Sequence, residues 1–269
     1  MATILDTIAE ATRARVRAQR AETPLESLKA AAFEQGSYRS ADFEAALRRP
    51  ELSFICEVKK ASPSKGVIDP EFRYLDIARS YQEAGADCVS CLTEPQWFMG
   101  SDLIFGEIRE TIDAPMIRKD FVVDEYQIYQ AKAMGANAVL LICAILDDVD
   151  LARFLELSDR LGLAALVEAH DAEEVKRAVV AGARIIGVNN RNLKDFSVDF
   201  DNAKRLRELV PPERIYVAES GVRSAEDVAT MAAMGADAAL IGEAFMRSAD
   251  KVSMLESFRA AARTARAAR

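Results

Sequence analysis

Four near-copies of one short pattern constrain this chain most. Ala84-Gly85-Ala86-Asp87, Met134-Gly135-Ala136-Asn137, Ala181-Gly182-Ala183-Arg184 and Met234-Gly235-Ala236-Asp237 each close a helix-like stretch and open a short apolar run. A glycine there suits the left-handed position that ends a helix. The run after it has the length of a buried strand. The glycines stand about 50 residues apart, roughly twice the length of one strand–helix unit. Apolar runs at 53–59, 88–92, 115–119, 138–142, 164–168, 184–188, 215–219 and 237–241 count eight strands, so the pattern precedes strands two, four, six and eight. Strands alternating with helices make a parallel sheet, and eight such units predict an α/β chain closed into a (β/α)8 TIM barrel over residues 51–269. An open doubly wound sheet is the alternative, but its Gly-x-Gly-x-x-Gly turn after the first strand is absent.

Residues 1–50 read as a helical extension that joins the barrel in one domain, 1–269. Ile4, Ile8, Thr12 and Val16 form one stripe of a first helix. Thr23-Pro24-Leu25-Glu26 reads as the start of a second, with Thr23 as N-cap, and Leu25, Leu28 and Ala32 continue its stripe. A third helix over 41–47 stops at Arg48-Arg49-Pro50. The extension is expected to cover the bottom or side of the barrel. The Ala/Arg-rich tail from Ala260 to Arg269 reads as the end of the last helix, fraying into solvent.

Composition excludes several classes. Half of the 269 residues are hydrophobic, enough for a large core, and the net charge is −8, which argues against a nucleic-acid partner needing a basic face. It leaves room for an anionic small substrate, because the local field governs a site. No apolar run reaches the ~18 residues of a membrane span, and the N-terminus lacks the apolar core of a secretory leader. A cytoplasmic location without membrane association is expected. Cys88-Val-Ser-Cys91 has metal-like spacing, but in a strand residues three apart face opposite ways. With no second Cys pair and a single histidine, His170, no metal site is expected. The four cysteines, Cys56, Cys88, Cys91 and Cys143, read as buried free thiols.

In a barrel of this kind the C-terminal strand ends converge on one pocket. In Ser53–Ile68, SFICEVKKASPSKGVI, alternation puts Phe54, Cys56 and Val58 on one face and Ile55, Glu57 and Lys59 on the other. The ends then supply, in order, Glu57 and Lys59; Thr93 and Glu94; Lys119 and Asp120; an uncharged Leu141-Ile142-Cys143; Glu168; Asn189, Asn190 and Arg191; Glu219 and Ser220; Gly242 and Glu243. One such charge is ordinary at a strand end. Two lysines and three glutamates on the inward faces of one barrel suit proton transfer between groups tuned by burial and by each other. Ser220-Gly221 and Gly242-Glu243 lie at the last two strand-to-helix junctions, the usual phosphate position of such barrels. Trp97, Phe98 and Phe121 either line an aromatic-binding end of the pocket or pack outside it.

These residues closely resemble the indole-3-glycerol-phosphate synthase family over nearly the whole chain. The resemblance rests on Thr23–Leu28, on Glu57-Val58-Lys59-Lys60-Ala61-Ser62-Pro63-Ser64, and on Thr93-Glu94 with Phe98-x-Gly100-Ser101. It continues through Arg118–Phe121, Leu166–Glu168, Asn189–Leu193, Ala218–Gly221 and Ile241–Glu243. It implies decarboxylative ring closure of 1-(2-carboxyphenylamino)-1-deoxyribulose 5-phosphate to indole-3-glycerol phosphate, carbon dioxide and water, without cofactor or metal. By the same likeness Lys119 is the acid, Glu168 a base or cation stabiliser, and Lys59 with Glu57 serve dehydration. Asn189 and Arg191 position the carboxylate and hydroxyls, and Glu219 orients the lysines. Lys59, Ser62, Ser220, Gly221, Gly242 and the Glu243 backbone hold phosphate. Pro63 borders the substrate, and Phe98, Phe121, Leu140 and Leu193 sandwich its ring. The Glu243 side chain would repel a dianion, so only its backbone is expected to contact one. A phosphorylated small molecule is the expected partner. A monomer is the expected state, with a homodimer as the alternative.

Two other readings compete. Another phosphosugar enzyme on the same barrel, such as a phosphoribosyl-anthranilate-type isomerase, would more naturally carry a carboxylate or thiol pair than two lysines. A non-catalytic scaffold would have lost the strand-end charges, which are all present.

Overall fold

The computed structural model describes residues 3–35, 40–191 and 199–268. Its centre is eight parallel strands: β1 (Ser53–Val58), β2 (Cys88–Leu92), β3 (Met116–Lys119), β4 (Ala138–Ile142), β5 (Ala164–Ala169), β6 (Ile185–Asn189), β7 (Ile215–Glu219) and β8 (Ala238–Ile241). Each pairs with the next in sequence, and β8 pairs back to β1, closing the barrel. Every strand lies within a residue or two of the apolar run that predicted it. The four patterned glycines, Gly85, Gly135, Gly182 and Gly235, all have φ between 77° and 90°, the left-handed geometry that ends a helix and turns the chain into the next strand.

Alternation sorts the core into two layers. Phe54, Cys56, Val58 and Cys91 belong to the shell between strands and helices. Ile55, Cys88, Ile117, Leu166 and Val217 fill the lumen. Cys88 and Cys91 thus face opposite sides of β2 and cannot share an ion. All four cysteines are free and buried.

The extension forms α1 (Ile4–Glu22), α2 (Leu25–Glu34) and α3 (Ser40–Leu47). Thr23 does not cap α2. It is the extended C-cap residue of α1, Pro24 takes the N-cap position of α2, and no side chain caps that helix. The physical reason is the proline: the residue before it is driven out of helical geometry, which separates the two helices. The α1 stripe buries Ile8, Thr12 and Val16 as expected, with Leu5 deeper than Ile4.

The extension reaches both ends of the lumen rather than only the bottom or side. Phe43 and Leu47 of α3 plug the N-terminal end. There the Ser53 hydroxyl donates to the Ala46 carbonyl at 2.8 Å and Arg184 pairs with Glu44 at 2.7 Å. Helix α1 lies over the opposite mouth. Its Arg15 donates to both carboxylate oxygens of Asp120, at 2.8 and 2.7 Å, and Arg20 pairs with Asp124 at 2.9 Å. The described part of the tail is helical and not frayed. It belongs to Lys251–Ala267, where Ala262 is buried and Arg266 donates to the Pro50 and Ala236 carbonyls.

Candidate active site

The barrel register decides which side chains meet. Asn189 stands opposite Glu219, Glu168 lies between Ile142 and Gly187, and Lys119 stands beside Leu92. Above the apolar lumen layer of Ile55, Ile117, Leu166 and Val217, the next inward residue on each of these strands is charged: Glu57, Lys119, Glu168 and Glu219. The three glutamates are almost fully buried. Lys59 Nζ lies 2.6 Å from Glu57 Oε1. Lys119 Nζ lies 2.9 Å from Glu219 Oε2 and 3.2 Å from Glu168 Oε2. The Asn189 amide donates to Glu168 Oε1 at 3.2 Å.

Two glycines make room for these groups. A Cβ at Gly187 would stand 2.0 Å from Glu219 Oε1, and one at Gly242 would stand 2.6 Å from Glu57 Oε1 and 2.9 Å from Lys59 Nζ. Gly242 is among the site residues expected from sequence; Gly187 is not. A glycine inside an apolar strand was the available signal, since it marks close approach of another group.

The proton affinities follow from the packing. Burial disfavours the Lys119 ammonium, but Glu219, Glu168 and Glu57 together outweigh it and hold the group above the usual lysine value. Burial also disfavours the Glu168 anion, yet Lys119, His170 and Asn189 draw its carboxyl well below the ordinary range. Burial pushes Glu219 up to about 7; Lys119 counters it, while Glu168 and Glu57 add to the rise. Two carboxylates flanking one lysine therefore have opposite tendencies, the arrangement by which one site holds an anion and a proton donor at neutral pH.

Around this centre the structure gathers the predicted residues into one pocket. Ser62, Pro63, Phe98, Phe121, Leu140, Arg191, Ser220, Gly221, Gly242 and Glu243 line it with the five charged residues and Asn189. Leu193 lies outside the described residues. The Phe98 and Phe121 rings are 6.1 Å apart at one wall, whereas Trp97 packs against the lumen layer without lining the pocket. Ser220 and Gly221 both have left-handed backbone, φ 69° and 93°. The Glu243 carboxylate turns to Arg247, 3.2 Å away, and Lys65, 3.7 Å away. Glu94 serves the loop instead of the pocket: its carboxylate accepts the N–H groups of Gln96, Trp97 and Phe98 at 2.7–2.9 Å and so seats Phe98.

Several residues at the pocket were not placed there from sequence. Ile4, Leu5 and Ile8 of α1 form an apolar wall, and Lys65 and Arg223 add cations. His170, just beyond β5, has Nε2 3.2 Å from Glu168 Oε1 and Nδ1 3.0 Å from Glu174 Oε2.

A closed (β/α)8 barrel with lysine–glutamate ion pairs clustered at its C-terminal strand ends has the architecture of an enzyme. Residues 5–258 match the family model described as indole-3-glycerol phosphate synthase. The proteins of that name from Ruminiclostridium cellulolyticum and Leuconostoc mesenteroides are 49% and 47% identical to this chain, over 96% and 95% of it and 100% and 98% of their own length. One from Lactiplantibacillus plantarum is 52% identical over 82% of this chain and 85% of its own. The chain belongs to the indole-3-glycerol phosphate synthase family, carboxy-lyases of tryptophan biosynthesis. Among solved structures, thiamine phosphate pyrophosphorylase from Pyrococcus furiosus shares the fold at a TM-score of 0.61 and 18% identity, covering 81% of this chain and 98% of that one. 3-Hexulose-6-phosphate synthase does so at 0.61 and 15%, covering 78% and 99%.

Proposed function

We propose a division of labour among these side chains for the family's reaction, the ring closure and decarboxylation of 1-(2-carboxyphenylamino)-1-deoxyribulose 5-phosphate. The ring carbon that bears the carboxylate bonds to the substrate's carbonyl carbon, and the carbonyl oxygen must gain a proton as that bond forms. Lys119 gives it. Its ammonium is largely enclosed, held between Glu168 and Glu219, and faces the pocket; this is the observation that carries the reading. Closure leaves positive charge on the substrate nitrogen and its ring. The Glu168 anion stabilises that charge until the carboxylate leaves as carbon dioxide and returns its electron pair. The new hydroxyl then departs as water, with a proton from Lys59 and loss of a carbon-bound proton to the Glu57–Lys59 pair. Glu219 orients Lys119, while Asn189 and Arg191 position the carboxylate and hydroxyls.

The substrate's two ends are recognised by different chemistry. Ser220 and Gly221, both left-handed, lie in the loop after β7, the usual phosphate position of such barrels. The Gly242–Glu243 backbone, Ser62 and Lys59 complete a phosphate seat, with the Glu243 carboxylate turned away to its cations. Pro63, Phe98, Phe121 and Leu140 take the aromatic ring, and Leu193 is proposed as a further ring contact on the family likeness alone.

The test is the appearance of indole fluorescence when purified protein meets the anthranilate-derived substrate, beside Lys119→Ala. Wild-type signal lost by a factor of about 10³ in the variant is expected for removal of a proton donor. Equal signal in both would move the acid to Lys59. No signal from folded wild type that still binds substrate would overturn the assignment and favour the isomerase.

A further inference from the structure

The single histidine of the chain is bound into the site in a way the scheme above does not use. Both of its ring nitrogens stand against carboxylates, Nε2 at 3.2 Å from Glu168 Oε1 and Nδ1 at 3.0 Å from Glu174 Oε2. Two carboxylates this close to one ring favour its charged form, the imidazolium. The Nε2–H is not aligned for a hydrogen bond, so its hold on Glu168 is that of a near charge. The far end is braced more firmly. Glu174 Oε2 also accepts the His170 backbone N–H at 2.8 Å, and the Asn202 amide donates to the His170 carbonyl at 3.2 Å. Arg177 and Cys143 border Glu174, and Lys119 and Asn189 reach Glu168 from β3 and β6.

Glu168 therefore has a cation on each oxygen: Lys119 on Oε2 and His170 on Oε1. The two are not equivalent during turnover. If Lys119 delivers its proton to the carbonyl oxygen, it becomes neutral at the moment Glu168 must remain an anion facing a positive ring. With Lys119 as the only cation, Glu168 would gain proton affinity just then. His170 faces Glu168 and Glu174 and is absent from the pocket lining, so its charge persists.

We propose that His170, braced by Glu174, is a positioning residue that keeps Glu168 ionised and in place while Lys119 is discharged. This rests on the assignment of Lys119 as the acid and deepens it. The direction of the proton affinities agrees: burial lowers His170, but Glu168 and Glu174 more than reverse this and raise it to about 10.

Because there is one histidine, tag-free protein labelled with ¹⁵N reports this ring alone, without substrate. An imidazolium that persists beyond pH 8 and titrates lower in Glu174→Gln is expected. Titration of the wild type near the ordinary value of about 6.5 would overturn the proposal. In kinetics, His170→Asn should lower kcat about tenfold with KM within about twofold, and move the acid limb of the kcat profile up by about one pH unit. The sign follows from Glu168: losing a cation raises its pKa, so it protonates at higher pH. An unmoved acid limb with unchanged kcat, or a rise in KM alone, would overturn the proposal. Should His170→Asn fail to fold, Glu174→Gln carries the same test, with an expected kcat loss of about threefold and a limb shifted the same way. Inactive wild type would count against the ring-closure assignment, while the histidine titration still reports on the charge of His170.

Discussion

The two ends of the barrel lumen are built by the same eight strands under the same alternation, yet they hold opposite contents. At the N-terminal end the inward residues are Ala138, Ala164, Ile185, Ile215 and Ala238, and Phe43 and Leu47 of α3 fill the space between them. At the C-terminal end the inward residues are Glu57, Lys119, Glu168 and Glu219, clustered in ion pairs at 2.6–3.2 Å. One end gains from every methylene removed from water, each worth roughly 0.8 kcal/mol. The other keeps charges buried at a desolvation cost that their pairing offsets only in part. The lesson is a separation of tasks along one axis: the closed end supplies stability, and the open end uses some of it to hold charges ready.

The largest expected effect lies at the open end. Glu168→Gln keeps the size of the side chain and removes its charge, and should lower turnover by about 10³ while the protein remains folded. Steady-state kinetics beside far-ultraviolet circular dichroism checks both halves. At the closed end, Phe43→Ala should lower the unfolding free energy by about 3–5 kcal/mol, with kcat and KM of the folded fraction unchanged. Urea titration and kinetics on the same sample would reveal any loss of kcat, which would break the separation.

A finer contrast concerns Glu219, whose carboxyl rises from its ordinary value of 4.5 to about 7. Between these values the folded protein holds a proton that the unfolded chain has released, so this group's contribution to stability falls as pH rises from about 4.5 through about 7. Glu219→Gln should remove that decline, seen as a flatter dependence of the urea midpoint on pH. An unchanged slope would assign the proton elsewhere in the cluster. The smallest effect is expected at Glu243. Its carboxylate points to Arg247 and Lys65, so Glu243→Ala should change KM less than about threefold, in keeping with a part-exposed ion pair.

What was legible in the sequence divides along the same physical lines. Strand positions were clear because a period of two and a repeated helix-ending glycine are local signals. The charged centre was clear because alternation carries Ile55 to Glu57 and Leu166 to Glu168 on one face. The seat of α1 was not. An amphipathic stripe says which side of a helix is apolar but not what covers it, so Leu5 and Ile8 could not be placed at the pocket. His170 was noticed only as the lone histidine, because its role depends on Glu174 four residues later meeting it around a helix start. Gly187 looked like a small residue in a strand, and only the Glu219 carboxylate 2.0 Å from where its Cβ would lie gives it meaning.

The reach of the extension to both mouths has a consequence for how the chain is made. Phe43 and Leu47 leave the ribosome early, but the cluster they belong to begins close by at Ile55 and is completed at the closed end only by Ala238. At about 5–20 residues per second that residue appears roughly 10–40 s later. For that interval the plug has only part of its seat, and its apolar side chains are partly open to solvent or to a chaperone. Closure of the lumen at both ends is then a late, long-range event in the life of each new molecule, and the stage most exposed to aggregation comes before the eighth strand has been synthesised.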